Sequence, residues 1–156
     1  MIWIHCPSRI MRFLEDSIIL NLTTATVDFG NLITNSIADT HNNASPLIVQ
    51  NDGNMLMNIS YVSALESLFS NIGLNTIYFQ FKIDNGTTES NSFNWTASQT
   101  TWTNITSMEI ENKSAIAFLN YQDANDNAEI DIRIVVPENE PPGTKSALVY
   151  IIGESP

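Results

Sequence analysis

The fold is constrained most strongly by a stretch near the carboxyl-terminal end in which apolar and polar residues alternate. The apolar residues of this stretch are Ile130, Ile132, Ile134 and Val136. The residues between them are Glu129, Asp131, Arg133 and Val135. A period of two residues is typical of a β-strand with one buried and one solvent-facing side. The sequence therefore predicts a strand over residues 128–136.

A proline-rich turn and a second apolar segment follow this strand. Pro137, Pro141 and Pro142 each lack the N–H that a continuing strand would donate, and Pro142-Gly143 suits a type II turn. Residues 145–152 are apolar on both faces, which predicts a strand inside a sheet that is covered on both sides. We expect the two strands to form the closing hairpin of a β-sandwich.

Short segments with strand character recur along the rest of the chain. The predicted strands cover residues 18–27, 46–50, 55–61, 76–84 and 115–119. Asp52-Gly53 gives the strongest hairpin signal, because these residues accommodate the positive φ angles of a tight turn. Residues 64–69 have the spacing of one helical turn. Roughly eight to ten short strands with little helix predict an all-β fold, an immunoglobulin-like antiparallel β-sandwich.

The length and the amino-terminal sequence predict the domain organisation. A chain of 156 residues is expected to form one domain, which we place at residues 17–156. Residues 1–16 are expected to be an irregular tail or the product of a misplaced start, since they lack the apolar core of a secretory signal. The chain also has no apolar run of about 18 residues, so no membrane span is expected in it. We therefore expect an excerpt of a longer surface protein.

Charge and cysteine content argue against several classes of partner and cofactor. The chain has 17 acidic and 6 basic residues, and its net charge of −11 opposes binding to nucleic acid or to anionic lipid. Cys6 is the only cysteine, so no disulfide forms within the chain. His5 and Cys6 are adjacent rather than at metal-ligand spacing, and His41 is the only other histidine, so zinc is not expected.

Seven N-x-S/T sequons indicate an extracellular, cell-surface glycoprotein. The candidate glycosylation residues are Asn21, Asn43, Asn58, Asn85, Asn94, Asn104 and Asn112. This is about twice the number expected by chance from the composition. Asn58 and Asn21 fall in predicted strands, where asparagine is otherwise rare, and Asn58 is on the outward side of its strand. Because asparagine is also favoured in turns for its backbone conformation, a purely structural role stays open for Asn43 and Asn85.

Three groups of residues resemble a known kind of module. They are Val27-Asp28-Phe29-Gly30-Asn31-Leu32, then Pro46-Leu47-Ile48-Val49 with Asn51-Asp52-Gly53-Asn54, and finally Ile134-Val135-Val136-Pro137 with Pro141-Pro142-Gly143-Thr144. Over residues 27–152 the chain resembles the immunoglobulin-like β-sandwich modules of archaeal secreted and cell-surface proteins. It is also similar to secreted sandwich subunits that form fibres by donating a terminal strand. The shared residues specify turns and core strands, and fold likeness transfers no activity.

The densest group of oxygen-bearing side chains is a candidate calcium site. Its residues are Asp123, Asn125, Asn127 and Glu129, and no other cofactor is predicted. Alternate carboxylate and amide oxygens match the start of an EF-hand loop. The remainder of that loop does not match, since Ala128 replaces its glycine and Ile134 stands in place of its bidentate glutamate. A turn rich in Asp and Asn also forms without an ion, so both interpretations stay open.

Trp95 and Trp102 are candidates for carbohydrate binding. Together with Tyr121 they could offer flat aromatic surfaces to sugar rings. The alternative is that the tryptophans are buried between the sheets of the sandwich, which is the commoner arrangement.

The sequence predicts a non-catalytic protein. It contains no G-x-S-x-G elbow, no glycine-rich phosphate loop and no H-E-x-x-H motif. The function expected is a structural module of a secreted or cell-surface protein, acting as a spacer, coat element or adhesive stalk unit. Its partners would be other surface-protein domains, identical subunits or glycans. The alternatives are a carbohydrate-binding module and a fibre subunit that donates residues 18–27 as a strand.

Overall fold

The described part of the chain forms two β-sheets. The computed structural model describes residues 15–42, 44–107 and 114–156. Its strands are β1 (Leu20–Thr24), β2 (Ile37–Asp39), β3 (Leu47–Asn51), β4 (Met57–Ala64), β5 (Phe79–Asn85), β6 (Thr103–Asn104), β7 (Thr106–Ser107), β8 (Ile116–Leu119), β9 (Asn127–Val135) and β10 (Val149–Glu154). The helical content of these ranges is one 3₁₀ turn, Trp95–Ala97. The prediction of an all-β, sandwich-like chain with little helix is confirmed.

The central strand of the first sheet is β9. The strand order is β1-β3-β9-β5-β6, and β2 pairs with the carboxyl-terminal end of β9. Every pairing in this sheet is antiparallel. The buried inward residues of β9 and β5 are Ala128, Ile130, Ile132, Ile134, Phe79, Phe81 and Ile83. The inward faces predicted for these two strands are therefore confirmed.

The central strand of the second sheet is β4. The order is β10-β4-β7, with β8 paired to the amino-terminal part of β4. β7 runs parallel to β4, whereas β8 and β10 run antiparallel to it. Met57, Ile59 and Val62 of β4 are fully buried, and they belong to the same apolar cluster as Phe81 and Ile130 of the first sheet. One apolar core therefore joins the two sheets.

The closing hairpin predicted for residues 128–152 is wrong. β9 pairs within the first sheet and β10 pairs with β4 in the second, so residues 136–148 cross from one sheet to the other. Among the described residues, β10 is an edge strand of half-buried and exposed residues rather than a strand covered on both faces. Gly143 does adopt the expected positive φ, at +142°. The Pro-Gly signal thus marks a local reversal without deciding which sheet the next strand joins.

Glu140 anchors this crossing segment. Its side chain is only 4% exposed and contacts the ammonium group of Lys145. Its carboxylate also accepts hydrogen bonds from the Ser70 backbone N–H at 3.1 Å and from the Ser70 hydroxyl at 3.0 Å. The hydrogen bond from Lys145 lowers the pKa of Glu140 below its ordinary value. The crossing is therefore fixed to the segment that follows β4.

The hairpin predicted at Asp52-Gly53 is also wrong, because this turn joins β3 of the first sheet to β4 of the second. Gly53 does not adopt a positive φ; instead, a Cβ at this position would lie 2.4 Å from the carbonyl oxygen of Ser17. The Asn54 N–H donates to the Ser17 carbonyl at 3.0 Å, and the Asp52 N–H donates to the Ile19 carbonyl at 2.9 Å. Glycine is required here because two backbone segments approach closely.

Replacing Gly53 by alanine is expected to lower the free energy of unfolding by about 1–2 kcal/mol, because the new Cβ displaces residues 17–19 from the turn. Urea unfolding followed by circular dichroism measures the loss. Gly73→Ala is the matched control, since a Cβ there has no neighbour within 4 Å and φ is not positive. The control is expected to change stability by less than about 0.5 kcal/mol. Equal effects of the two substitutions would contradict the role assigned to close approach.

Several smaller expectations differ from the structure. The strand predicted at residues 18–27 is shorter, Leu20–Thr24, and it pairs with β3 of its own chain. The helical turn predicted at residues 64–69 is wrong, because β4 runs to Ala64 and is followed by bends. The predicted tail, residues 1–16, lies almost wholly outside the described residues. No helix in the described ranges has the length and hydropathy to cross a membrane.

Candidate functional site

The outer face of the first sheet carries charged side chains at its centre. Residues that alternate with the inward positions of a strand point to the opposite face. Lys82 of β5 lies directly opposite Asp131 of β9, and Asp84 follows two positions along β5. His41, which follows β2, lies beside both carboxylates. We call Lys82, Asp84, Asp131 and His41 the outer-face cluster.

Asp131 is the most buried member of the outer-face cluster. It is 1% exposed, although its position in β9 faces away from the core. The Thr40 hydroxyl donates to Asp131 Oδ1 at 2.6 Å and accepts the Ile132 N–H at 2.9 Å. The Thr40 N–H in turn donates to the Ile132 carbonyl at 2.9 Å. Thr40 therefore covers Asp131 and fixes the orientation of its carboxylate.

His41 follows Thr40 and brings an imidazole to the two carboxylates. Its Nδ1 atom lies 3.9 Å from Asp84 Oδ2 and 3.9 Å from Asp131 Oδ2. The three ligand atoms of His41, Asp84 and Asp131 all lie within 4.8 Å of one another. The His41 side chain is 56% exposed, so one side of the cluster opens to solvent.

Lys82 supplies the positive charge of the outer-face cluster. Its Nζ atom donates to Asp84 Oδ2 at 2.9 Å and lies 3.3 Å from Asp131 Oδ2. Burial alone lowers the pKa of Lys82, but the hydrogen bond that Lys82 donates to Asp84 and the charge of Asp131 outweigh burial and raise that pKa above its ordinary value. The ammonium form is therefore favoured, and one cation serves two carboxylates.

Trp102 lies over the same face. Thr103 pairs with Phe81 in register, which places Trp102 beside the outward-facing Lys82. The Lys82 ammonium lies 5.4 Å and the Arg133 guanidinium 5.5 Å from the centre of the Trp102 ring system, both within cation–π range. Trp102 is half-buried on the outer face. The alternative that places it between the sheets is wrong.

Trp95 lies on the surface, in the 3₁₀ turn. It is 45% exposed and stacks on the buried Phe93, with ring centroids 5.9 Å apart and an interplanar angle of 22°. The Asn94 side chain caps the turn by accepting the Ala97 N–H at 3.2 Å. Trp95 is therefore not a core residue either, and one of its faces is supported by Phe93.

The predicted calcium residues are held by other parts of the chain. Glu129 Oε1 accepts hydrogen bonds from the Thr87 hydroxyl at 2.6 Å and from the Thr87 N–H at 2.9 Å. Asp123 is exposed, whereas Asn125 and Asn127 are half-buried. Calcium at these four residues stays a prediction, and in the structure the Glu129 carboxylate is hydrogen-bonded to Thr87.

The carboxylate of Glu89, from a distant part of the chain, is hydrogen-bonded to the turn that contains these residues. Glu89 Oε2 accepts the N–H of Asp126 at 2.9 Å and that of Asn127 at 3.2 Å. Gln50 donates to Asp126 Oδ2 at 3.2 Å. Residues distant in sequence therefore bind two N–H groups of the turn and one oxygen of Asp126, whereas Asp126 Oδ1 is buried without a hydrogen-bond partner among the described residues.

Two predicted glycosylation sites are well exposed. Asn21 and Asn94 lie on the surface, as do Thr23 and Thr96, which complete their sequons. Asn85 is half-buried. The predicted sites Asn43 and Asn112 lie outside the described residues.

Two other sequons are partly covered, at Asn58 and Asn104. Both asparagines are half-buried, and the hydroxyl-bearing residues of their sequons, Ser60 and Thr106, are buried. Asn58 Oδ1 accepts the Phe118 N–H at 2.9 Å. This hydrogen bond supplies a structural reason for an asparagine within β4.

Sequence reasoning missed the outer-face cluster. Lys82 and Asp84 alternate outward on one predicted strand and Asp131 on another, and this was the only available signal. It was insufficient because the pairing of β5 with β9 is a long-range contact. His41 lies outside every segment predicted to be a strand.

Comparison with protein-family models, with curated proteins and with solved structures finds no match to this chain.

Proposed function

We propose that this chain is a non-catalytic structural module of a secreted or cell-surface protein, an immunoglobulin-like β-sandwich that serves as a spacer, coat element or adhesive stalk unit. The observation that carries the proposal is an apolar core joined across two sheets, beside a strand edge that is available to neighbours. A module of this kind works through rigidity and through contacts at its edges.

The available edge is β10. In the described ranges β10 pairs with β4 on one side only. Ile152 of this strand is 38% exposed, and Leu148, immediately before the strand, is 73% exposed. Unpaired strand edges with apolar neighbours favour attachment to another chain or domain. β10 is therefore the surface through which we expect neighbouring domains or identical subunits to attach.

The exposed sequons support an extracellular location. Asn94 Oδ1 caps the 3₁₀ turn, so the cap does not use the amide nitrogen to which a glycan attaches. A glycan at Asn94 or Asn21 would extend from the surface without disturbing the core. The net charge of −11 would also favour solubility of a crowded surface layer.

Secretion from a eukaryotic cell behind a signal peptide tests the proposal. Mass spectrometry is expected to find glycans at Asn21 and Asn94, and the glycosylated chain is expected to melt at the same temperature as the unglycosylated chain or slightly above it. Thr23→Ala and Thr96→Ala are the matched controls, since each removes a sequon and keeps its asparagine. Absence of glycans at both residues, or a lower melting temperature with them, would contradict the extracellular assignment.

A carbohydrate-binding module is the second candidate function, favoured by the 45% exposure of Trp95 and its stacking on Phe93. A rigid exposed ring is suited to stacking on a sugar. Titration with oligosaccharides is expected to shift the tryptophan emission of the parent chain but not that of Trp95→Ala. The same titration of Trp102→Ala shows whether Trp102, the other predicted residue, contributes to the emission shift. An emission spectrum that is unchanged across a panel of oligosaccharides would remove this candidate.

A further inference from the structure

We infer that His41, Asp84 and Asp131 form a zinc-binding site, in which the Lys82 ammonium occupies the cation position when zinc is absent. The ligands would be His41 Nδ1 and one carboxylate oxygen from each aspartate. The site lies on the outer face of the first sheet and is independent of the structural role proposed above.

The positions of the ligand atoms are close to those that zinc requires. Zinc bonds of about 2.0–2.1 Å place the ligands of a tetrahedral ion roughly 3.4 Å apart. His41 Nδ1 lies 3.9 Å from an oxygen of each aspartate. Bringing His41 Nδ1 to zinc-ligand distance from each of these oxygens therefore needs a movement of about half an ångström. All three ligand atoms lie within 4.8 Å of one another. The exposed imidazole of His41 can supply this movement, while the two aspartates lie on adjacent strands.

Asp131 provides an independent indication of a ligand. It is 1% exposed, and its Oδ2 atom accepts no hydrogen bond of good geometry from the described residues. Lys82 Nζ lies 3.3 Å from this oxygen as its ion-pair partner, and His41 Nδ1 lies 3.9 Å from it. Its other oxygen is fixed by the Thr40 hydroxyl at 2.6 Å. Metal-ligating carboxylates are commonly oriented in this way, by a hydrogen bond to the oxygen that does not bind the ion.

The charges of the outer-face cluster also favour a divalent cation. Two carboxylates share one ammonium, because Lys82 Nζ lies 2.9 Å from Asp84 Oδ2 and 3.3 Å from Asp131 Oδ2. A zinc ion would neutralise both carboxylates if Lys82 withdrew. The ring of Trp102 lies 5.4 Å from Nζ and offers the displaced ammonium a favourable contact. Lys82 and the metal therefore compete for the two carboxylates, and a displaced Lys82 ammonium keeps its cation–π contact with Trp102.

The ligand types select among metals. Calcium prefers six to eight oxygen ligands, whereas imidazole combined with carboxylates suits zinc. Three protein ligands leave a fourth position for water on the side where His41 meets solvent. Bound zinc would tie the segment that follows β2 to the centre of the sheet.

Isothermal titration with zinc chloride tests the site at neutral pH. The full chain carries His5→Ala and Cys6→Ser, which remove its other imidazole and its thiol. We expect this chain to bind one zinc ion, and His41→Ala and Asp84→Asn to weaken binding by at least about tenfold. Lys82→Met is expected to tighten binding, because it removes the competing cation.

Asp123→Asn is the control, since it removes an exposed carboxylate outside the outer-face cluster and is expected to leave zinc affinity unchanged. The visible absorption of bound cobalt(II) gives a second readout, and we expect it to change on His41→Ala. His41 is exposed, so this variant is expected to fold, and its melting temperature without metal verifies that. Equal affinity in the parent, His41→Ala and Asp84→Asn chains would overturn the site, as would an absence of zinc binding.

Discussion

Replacing Phe81 by alanine is expected to lower the free energy of unfolding by about 3–5 kcal/mol. Phe81 is fully buried, and β5 lies between β9 and β6 in the first sheet. Its ring belongs to the apolar cluster that joins the two sheets, so its loss leaves a cavity between strands held on both sides. Urea unfolding, with the midpoint and slope fitted together, measures the change.

Phe118→Ala is the matched control for this prediction. Phe118 lies on β8 and is 45% exposed, so the same atoms are removed from a ring that is largely in water. Its effect is expected to be less than about 1 kcal/mol. If the two substitutions cost the same, Phe81 does not have the central place in the core that the structure gives it.

The strands themselves could be predicted because their signal is local. Alternation placed the inward faces of β5 and β9 correctly, since burial on one side of a strand repeats every two residues. Asp52-Gly53 and Pro142-Gly143 were equally visible, but the partners of the strands beside them were predicted wrongly. A turn signal reports that the chain reverses, whereas the sheet that the next strand joins depends on long-range packing.

Gly143 and Gly53 also show that a local turn signal does not reveal long-range contacts. Gly143 has the positive φ expected of its turn. Gly53 is needed because the Ser17 backbone approaches it, and Ser17 lies more than thirty residues away in sequence. A sequence motif can indicate a backbone angle, but it cannot indicate which distant segment comes close.

The candidate sites show the same difference between local and long-range contacts. Sequence reasoning selected oxygen ligands that are neighbours in the chain, such as Asp123 and Asn125, because only local spacing was visible. The outer-face cluster joins His41 to Asp131 across ninety positions, and the strand pairing that joins Asp84 to it is also long-range. Its residue types were present in the sequence, but their proximity required the register of β5 against β9.

Trp102 illustrates how register changes an interpretation. A tryptophan in a β-sandwich is most often buried between sheets, and the sequence around Trp102 did not decide the matter. The pairing of β6 with β5 places Trp102 beside Lys82 on the outer face. An aromatic ring that would have been assigned to the core is therefore part of a charged surface.

Lys82→Met is expected to lower the free energy of unfolding by about 3 kcal/mol at neutral pH, because it leaves the buried Asp131 carboxylate without its ammonium partner. Asp131 is 1% exposed, so water cannot replace that partner fully. The substitution keeps most of the apolar length of the side chain. Urea unfolding of the parent and variant chains gives the difference, and a double variant with Asp131→Asn is expected to recover part of it, since both charges are then absent.

The stability difference between the parent chain and Lys82→Met is expected to depend on pH. Burial lowers the pKa of Lys82, but the hydrogen bond that Lys82 donates to Asp84 and the charge of Asp131 outweigh burial, so the folded-state pKa lies above its ordinary value of 10.5. A raised lysine pKa contributes stability that is fully present below the unfolded-state value and is lost as pH rises through the folded-state value. The parent chain should therefore lose stability relative to Lys82→Met above about pH 10.5. A difference that stays constant from neutral to strongly alkaline pH would contradict the ammonium–carboxylate pairing, because only a charged Lys82 can neutralise Asp131.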